Sequence, residues 1–396
     1  MQLPKVGRVD AAIEQLSARL QPVSSERVPN ALAAGRVLAD DLLADRPSPA
    51  LDVSAMDGYA LKLHDGLLST LPVQSTAAAG SAPQSLLPGH AIRIFTGAAV
   101  PEGADCVVKR EDTIEHPDQV ELARSAAELQ LGQNIRKQGE NSPQGAKLLA
   151  RGSTVDASSI AAMASFGARD ICVYRKVRVA VLNTGDELAE PGAAVEAWQI
   201  RDSNGPTLAA WLSQLSWVAT VTRQRVGDTL SSVQAALAEK LEQCDAIILT
   251  GGVSMGDTDY VPAAIESLGG EIVFHRLPIR PGRPVLGAVL NGKLILGLPG
   301  NPVSVAVTAR VLGEPLLCRL AGREGPSPRL SVHLAESDGK QIDLTWFRLV
   351  TIDMAGALHL TTSQGSGDLV SLSRSCGFVE IPPEGNGKGP LRFTLW

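Results

Sequence analysis

The sequence predicts an α/β chain built on an open, mostly parallel sheet, with β-rich modules before and after it. Three observations predict it. First, Asp245–Tyr260 reads as strand, glycine turn, helix: apolar Ala246–Leu249 runs into Gly251, Gly252 and Gly256, then into a helical pattern from about Tyr260 to Leu268. Second, short apolar runs alternate with amphipathic helical runs from Val177 to Leu320, the spacing of βαβ units with right-handed crossovers. Third, residues 59–125 and Leu330–Trp396 hold short strand-like runs between Gly, Pro, Ser and Asp turns, with little helix.

Taken in order, Asp10–Leu20 places Ile13, Leu16 and Leu20 on one helical face, with Asp10 as the expected N-cap. Val28–Ala44 mixes a short helix with an extended piece, and the Asp45–Val53 loop carries Pro47 and Pro49. It delivers Ser54-Ala55-Met56-Asp57-Gly58-Tyr59-Ala60, a tight turn around one carboxylate. A β module follows, then the basic-to-acidic loop Asn134–Asn141 and a helix over Ser158–Phe166. Val177–Leu182 is a strand ending in Asn183-Thr184-Gly185-Asp186-Glu187, and Pro206–Leu215 is a helix. Val218–Val226 is a strand ending in Gly227-Asp228, and Thr229–Gln243 is a helix with Val233, Leu237 and Leu241 at four-residue spacing. Pro284–Leu290 and Lys293–Leu298 form a hairpin across Asn291-Gly292. Pro299-Gly300-Asn301-Pro302 then opens a helix through about Leu320, with Asn301 as N-cap and Pro302 as first helical residue. Gly322–Pro328 reads as a linker to a C-terminal β-barrel.

Composition narrows the function classes. A chain of 396 residues holds two to four domains, at roughly 100–200 residues each. The 36 basic residues against 42 acidic ones leave no basic footprint for nucleic acid. Cys106, Cys172, Cys244, Cys318 and Cys376 are scattered, with no C-x-x-C, which fits thiols in a reducing cytosol. The N-terminal residues lack a signal-peptide apolar core, and no run of about 18 apolar residues is present, so neither secretion nor membrane insertion is expected.

The chemistry is expected at one sheet edge. Thr184–Glu187, Gly227-Asp228, Thr250–Asp259 and Leu298–Pro302 each follow a strand, so all four turns should meet at the carboxyl ends of a parallel sheet. Glycine turns there suit a phosphate, through free N–H groups; the carboxylates Asp186, Glu187, Asp228, Asp257 and Asp259 suit a divalent cation. Each turn alone also reads as a helix cap. Arg280-Pro281-Gly282-Arg283 adds two guanidiniums suited to a tetrahedral oxyanion, or two surface arginines flanking a turn. There is no P-loop, no G-x-G-x-x-G after the first strand and no G-x-S-x-G. His64, His90, His116, His275, His333 and His359 show no metal-ligand spacing. Positioning plus metal electrostatics is therefore the expected mode of catalysis.

Five elements occur in order: Ser54–Ala60, Phe95-Thr96-Gly97-Ala98, Thr184-Gly185-Asp186-Glu187-Leu188, Gly251-Gly252-Val253-Ser254-Met255-Gly256-Asp257, and Gly297-Leu298-Pro299-Gly300-Asn301-Pro302-Val303-Ser304. Together they resemble the molybdopterin molybdenumtransferase family, of the MoeA and gephyrin E-domain type, over nearly the whole chain. The resemblance implies a multidomain α/β plus β protein. Its central, mostly parallel three-layer α/β domain (6–20 and 176–324) is of the molybdopterin-binding type. Around it stand a β module (46–141), a small discontinuous mixed domain (21–45 and 142–175) and a C-terminal β-barrel (325–396). It implies molybdate insertion into adenylyl-molybdopterin with Mg2+-dependent hydrolysis of the phosphoanhydride, releasing AMP and molybdenum cofactor. It further implies a cytoplasmic homodimer with clefts shared between subunits, in transient contact with a molybdopterin adenylyltransferase and other molybdenum-cofactor proteins.

Carried onto this sequence, the resemblance assigns catalysis to Asp57, Asp186, Glu187, Asp228 and Asp259, with Glu187, Asp228 and Asp259 as metal ligands. It assigns substrate binding to Thr184, Gly185, Thr250, Gly251, Gly252, Ser254, Pro299, Gly300, Asn301 and Pro302. It adds Arg280 to the substrate-binding set, and Arg283, Ser304, Arg348 and Ser366 would face the molybdate. Four positions depart from the family pattern. Arg280 and Arg283 stand where lysines are usual, Asn141 where aspartate is common in the Arg136-x-x-Gly139 loop, and Val53 where asparagine precedes Ser54. They could mark altered rate or a tungstate preference. Two rivals stay open: an adenylyltransferase acting on molybdopterin, which the flanking β domains and the Asp57 loop argue against, and a catalytically silent scaffold, for which no extra partner segment is visible.

Overall fold

The computed structural model describes residues 6–63, 67–123, 126–254, 259–326 and 328–396. The chain divides into two compact units: one is Met1–Asp40, Arg151–Ile160 and Arg169–Trp396, the other Asp41–Ala150 and Ala161–Ala168.

A six-stranded sheet organises the larger unit, in the order Val218–Val226, Val177–Thr184, Ala246–Thr250, Lys293–Leu298, Leu286–Leu290, Glu271–His275. The first four strands are mutually parallel, and the last two add an antiparallel edge through the Asn291-Gly292 hairpin. Ala246–Thr250 lies between parallel neighbours and is buried at every position, which is why it reads as a continuous apolar run rather than an alternation. Alternate residues feed two cores. Val179, Val181, Ala246 and Ile248 pack with Leu16, Leu208, Leu212 and Val305 on one face; Ala180, Leu182, Ile247 and Leu249 pack with Val233, Leu237, Val261 and Ile265 on the other. Helices therefore cover both faces, in three layers, and the strand ends are left as the open surface.

The helix boundaries follow local chemistry. Thr229 proves to be the N-cap of Leu230–Gln243, its hydroxyl accepting from the Ser232 N–H at 3.2 Å. Two expected caps are corrected. The first helix runs Val9–Ser17 with Arg8 at the N-cap, so Asp10 sits inside the first turn, where its charge still favours the helix dipole. Asn301 does occupy the N-cap before Pro302–Thr308, but its side chain makes no capping hydrogen bond and is engaged elsewhere. That helix continues through a π-helical turn, Ala309–Gly313, into Glu314–Leu320.

A second sheet of this unit runs Ile279–Arg280, Thr345–Ile352, Gly377–Ile381, Leu391–Leu395, Leu330–Val332, with Leu358–Leu360 paired to Thr345–Ile352. Arg280 thus belongs to the C-terminal sheet, not to the α/β sheet. A third, three-stranded sheet joins Ser25–Pro29, Asp170–Tyr174 and Val37–Leu38.

The smaller unit centres on a sheet ordered Cys106–Lys109, Gly58–Leu61, Ala91–Ile94, Thr70–Ala77, Gln119–Leu122, Thr113–Glu115. Gly58 is required here by close approach: a Cβ would lie 1.9 Å from the Val108 carbonyl oxygen. This pins the Asp57 turn to the end of the sheet. Among the described residues no helix is long and apolar enough to cross a membrane.

Candidate functional site

The four strand-end turns meet as the parallel order requires. A cavity of about 490 Å³ is lined by Thr184, Gly185, Glu187, Asp228, Thr250, Gly251, Gly252, Asp259, Gly300, Asn301 and Pro302. Hydrogen bonds stitch the turns to one another. The Asp186 N–H donates to Asp228 Oδ2 at 3.1 Å, and the Asp228 N–H donates back to Asp186 Oδ1 at 3.2 Å. Asn183 Nδ2 donates to Thr250 Oγ1 at 2.7 Å, and the Gly251 N–H donates to the Leu298 carbonyl at 3.1 Å. Gly251 has φ +85°, and a Cβ there would meet the Thr184 carbonyl oxygen at 2.8 Å, so only glycine brings these turns so close.

One wall of this cavity was not legible in the sequence. Ile200, Arg201, Asp202, Ser203 and Asn204 line it just before the helix Asn204–Gln214. Asp202 Oδ1 accepts from the Gly205 N–H at 2.9 Å, and Asn204 Nδ2 donates to the Gly300 carbonyl at 2.6 Å. The run Asp202-Ser203-Asn204-Gly205 is a helix-start signature that could have marked it.

A second, smaller cavity of about 200 Å³ is lined by Arg280, Pro281, Val303, Trp346, Arg348, Thr361, Ser363 and Ser366, among others. Arg348 donates to Asp338 Oδ1 at 2.7 Å, and this guanidinium holds the Asp338 carboxyl down at about 2. Asn301, which lines the first cavity, donates through Nδ2 to Ser366 Oγ of the second at 2.9 Å. The two chambers therefore adjoin: one is rich in carboxylates, glycine N–H groups and a helix N-terminus, the other in guanidiniums and hydroxyls.

Not every expected residue joins these chambers. Arg283 is exposed and lines neither; its carbonyl instead accepts from Leu277 and Val285 as the chain turns into the next strand. Ser304 is 3% exposed, held in the body of the Pro302–Thr308 helix among Val303, Val305 and Val307. Pro299 is buried behind the turn, and Ser254 is exposed without lining either cavity. Gly256 and Asp257 lie outside the described residues. The three carboxylates Glu187, Asp228 and Asp259 share a cavity, but among the described residues no three His, Cys, Asp or Glu side chains gather as a ready metal-ligand group. The donor set still fits Mg2+, which characteristically takes one or two carboxylates and completes its shell with phosphate oxygens and water.

Asp57 belongs to the smaller unit. It is exposed, and its Oδ1 accepts from both the Thr96 N–H and the Thr96 hydroxyl at 2.7 Å. These bonds, side-chain first, hold its carboxyl below the ordinary range. Asn141 accepts from Arg136 Nη2 at 2.6 Å and donates to Ser48 Oγ at 3.3 Å, so an amide serves where a carboxylate was expected.

Residues 8–167 match the family described as the MoeA N-terminal region (domain I and II), and residues 180–319 match a probable molybdopterin binding domain. The sequence is 35% identical over 389 residues, 94% of each chain, to a protein of Synechococcus elongatus named molybdopterin molybdenumtransferase. It is 35% identical over 306 residues to a protein of that name from Haemophilus influenzae, covering 76% of this chain and 74% of that one. Among solved structures, a molybdopterin biosynthesis MoeA protein from Pyrococcus horikoshii superposes with a TM-score of 0.83 at 25% identity, covering 99% of this chain and 100% of the other.

Proposed function

The chain belongs to the molybdopterin molybdenumtransferase family, and on that premise we propose that it inserts molybdate into adenylyl-molybdopterin, releasing AMP and molybdenum cofactor. The observation that carries this reading is the adjacency of the two chambers through Asn301 and Ser366. A nucleotide-linked pterin carries a phosphoanhydride, which suits the glycine N–H groups and the helix N-terminus at Pro302. Carboxylates alone would repel it, so a cation is needed between them. Asp228, Asp259 and Glu187 would hold Mg2+, which would supply neutralisation of the phosphate charge. The Asp186–Asp228 clasp fixes the carboxylates before substrate arrives. Arg280, Arg348 and Ser366 would receive the molybdate as a tetrahedral oxyanion.

The finer organisation follows from the same reading. We take the protein as a cytoplasmic homodimer of four-domain subunits, in which the Asp57 turn of one subunit completes the cleft of the other. We read the C-terminal sheet as a barrel closed through the Leu334–Leu358 bridge. Transient contact with the adenylyltransferase that supplies the substrate is part of this proposal.

The test is direct. Purified protein incubated with adenylyl-molybdopterin, molybdate and Mg2+ should release AMP and yield cofactor that reconstitutes an apo-molybdoenzyme. Adenylylation of molybdopterin from ATP, with no molybdate-dependent AMP release, would make it an adenylyltransferase instead.

A further inference from the structure

In the guanidinium chamber one aromatic ring serves two arginines. Arg280 pairs in register with Trp346 across neighbouring parallel strands, and Arg348 follows Trp346 by two residues on its own strand. Strand alternation puts Trp346 and Arg348 on one sheet face. The Arg280 guanidinium carbon lies 5.3 Å from the Trp346 ring centroid and that of Arg348 lies 4.3 Å from it. Two like charges facing one small chamber repel, and the electron-rich face of an indole offsets that repulsion for both. Arg348 is tethered a second time by Asp338. The remaining lining is hydroxyl-rich: Ser363, Ser366 and Thr361, whose Oγ1 is buried without a hydrogen-bond partner among the described residues.

We propose that Trp346 is the positioning residue of the oxyanion chamber, the common plate that holds the Arg280 and Arg348 guanidiniums at a fixed spacing and so sets affinity for a tetrahedral dianion. This rests on the reading of that chamber as the molybdate site. Trp346 acts through the arginines, so its aromatic face matters and its indole N–H does not. A flat guanidinium stacks on the ring, and an ammonium presents no such plane.

Calorimetric titration of the full-length protein with sodium tungstate, sodium molybdate and, separately, AMP tests this. Trp346→Leu should weaken tungstate and molybdate binding about tenfold, Trp346→Phe by no more than about threefold, and neither should change AMP binding. Arg280→Lys, on an exposed side chain, should weaken oxyanion binding about fivefold despite keeping the charge. If Trp346→Leu binds tungstate as the wild type does while Arg348→Ala does not, the role of the ring is refuted and the oxyanion chamber stands. Equal losses in Trp346→Phe and Trp346→Leu refute the aromatic argument as well. Should Trp346→Leu fail to fold, as read from its melting transition, unchanged binding in Arg280→Lys overturns the proposal by itself. If wild-type protein binds no oxyanion, or binds it without regard to Arg280 and Arg348, the reading of the chamber itself falls.

Discussion

At the amino end of the Ala246–Thr250 strand, Asp245 is taken up entirely by protein. Arg175 Nη1 and Nη2 donate to its two oxygens at 2.7 Å, and the Arg178 N–H donates at 2.8 Å. At the carboxyl ends of the same sheet, Asp186 and Asp228 each accept one backbone N–H from the other turn, beside a cavity that Asp228 and Asp259 line. The residue type is the same and the local strand grammar is the same; what differs is which end of a parallel strand each occupies. The bidentate arginine pair ties Asp245 into the fold, whereas Asp228 and Asp259 line a cavity, which is where the proposed function puts the ligand.

Four substitutions press on that contrast. Asp259→Ala should lower molybdate-dependent AMP release by roughly 10²–10³-fold with an unchanged melting transition; wild-type turnover would place Asp259 with the structural aspartates. Asp57→Ala should lower turnover about a hundredfold without weakening self-association. Mixing Asp57→Ala with Asp259→Ala subunits should then restore activity in hybrid dimers, and dead hybrids would break the shared-cleft proposal.

Asp245→Asn should do the reverse, costing about 3 kcal/mol of stability by stranding a largely buried Arg175 contact, while turnover of the folded fraction is kept. Burial pushes the Asp245 carboxyl up, but its bonds to Arg175 and the Arg178 N–H, with both positive charges, outweigh this and leave it below the ordinary range. Its folded value is thus lower than its unfolded one. The stabilisation is full above about pH 4 and fades as pH falls through the depressed value, so wild type and variant should converge in acid. Denaturant midpoints between neutral pH and pH 3 would show it, and a constant gap would refute the linkage. The smallest effect belongs to Asn301→Ala, which should raise the KM for molybdate severalfold, worth about 1 kcal/mol, through loss of the bond to Ser366. A larger change in nucleotide affinity instead would mean that Asn301 serves the first cavity alone.

The carboxylate rim was legible because it is a local property: each turn follows its own apolar strand, and Gly and Asp mark where the chain leaves the sheet. The guanidinium chamber was legible only in part. Arg280 stood out as a cation beside a proline turn and Arg348 entered only through the family resemblance, while Trp346 read as an ordinary strand residue, because its meaning depends on pairing with a residue far away in sequence. Arg283 and Ser304 line neither chamber: Arg283 is exposed in the turn before the next strand and Ser304 is buried in its helix. The Ile200–Asn204 wall was not legible because its strand, Ile200–Arg201, is only two residues long and carries no periodic pattern.

The bond from Asn301 to Ser366 has one more implication. Gly367 lines one chamber and Gly365 the other, so the backbone around Ser366 borders both. On the proposed function, ligands bound on its two sides would be near neighbours and would meet without a diffusive journey through bulk solvent. Confinement of that kind turns an encounter between two dilute solutes into an event inside one vessel.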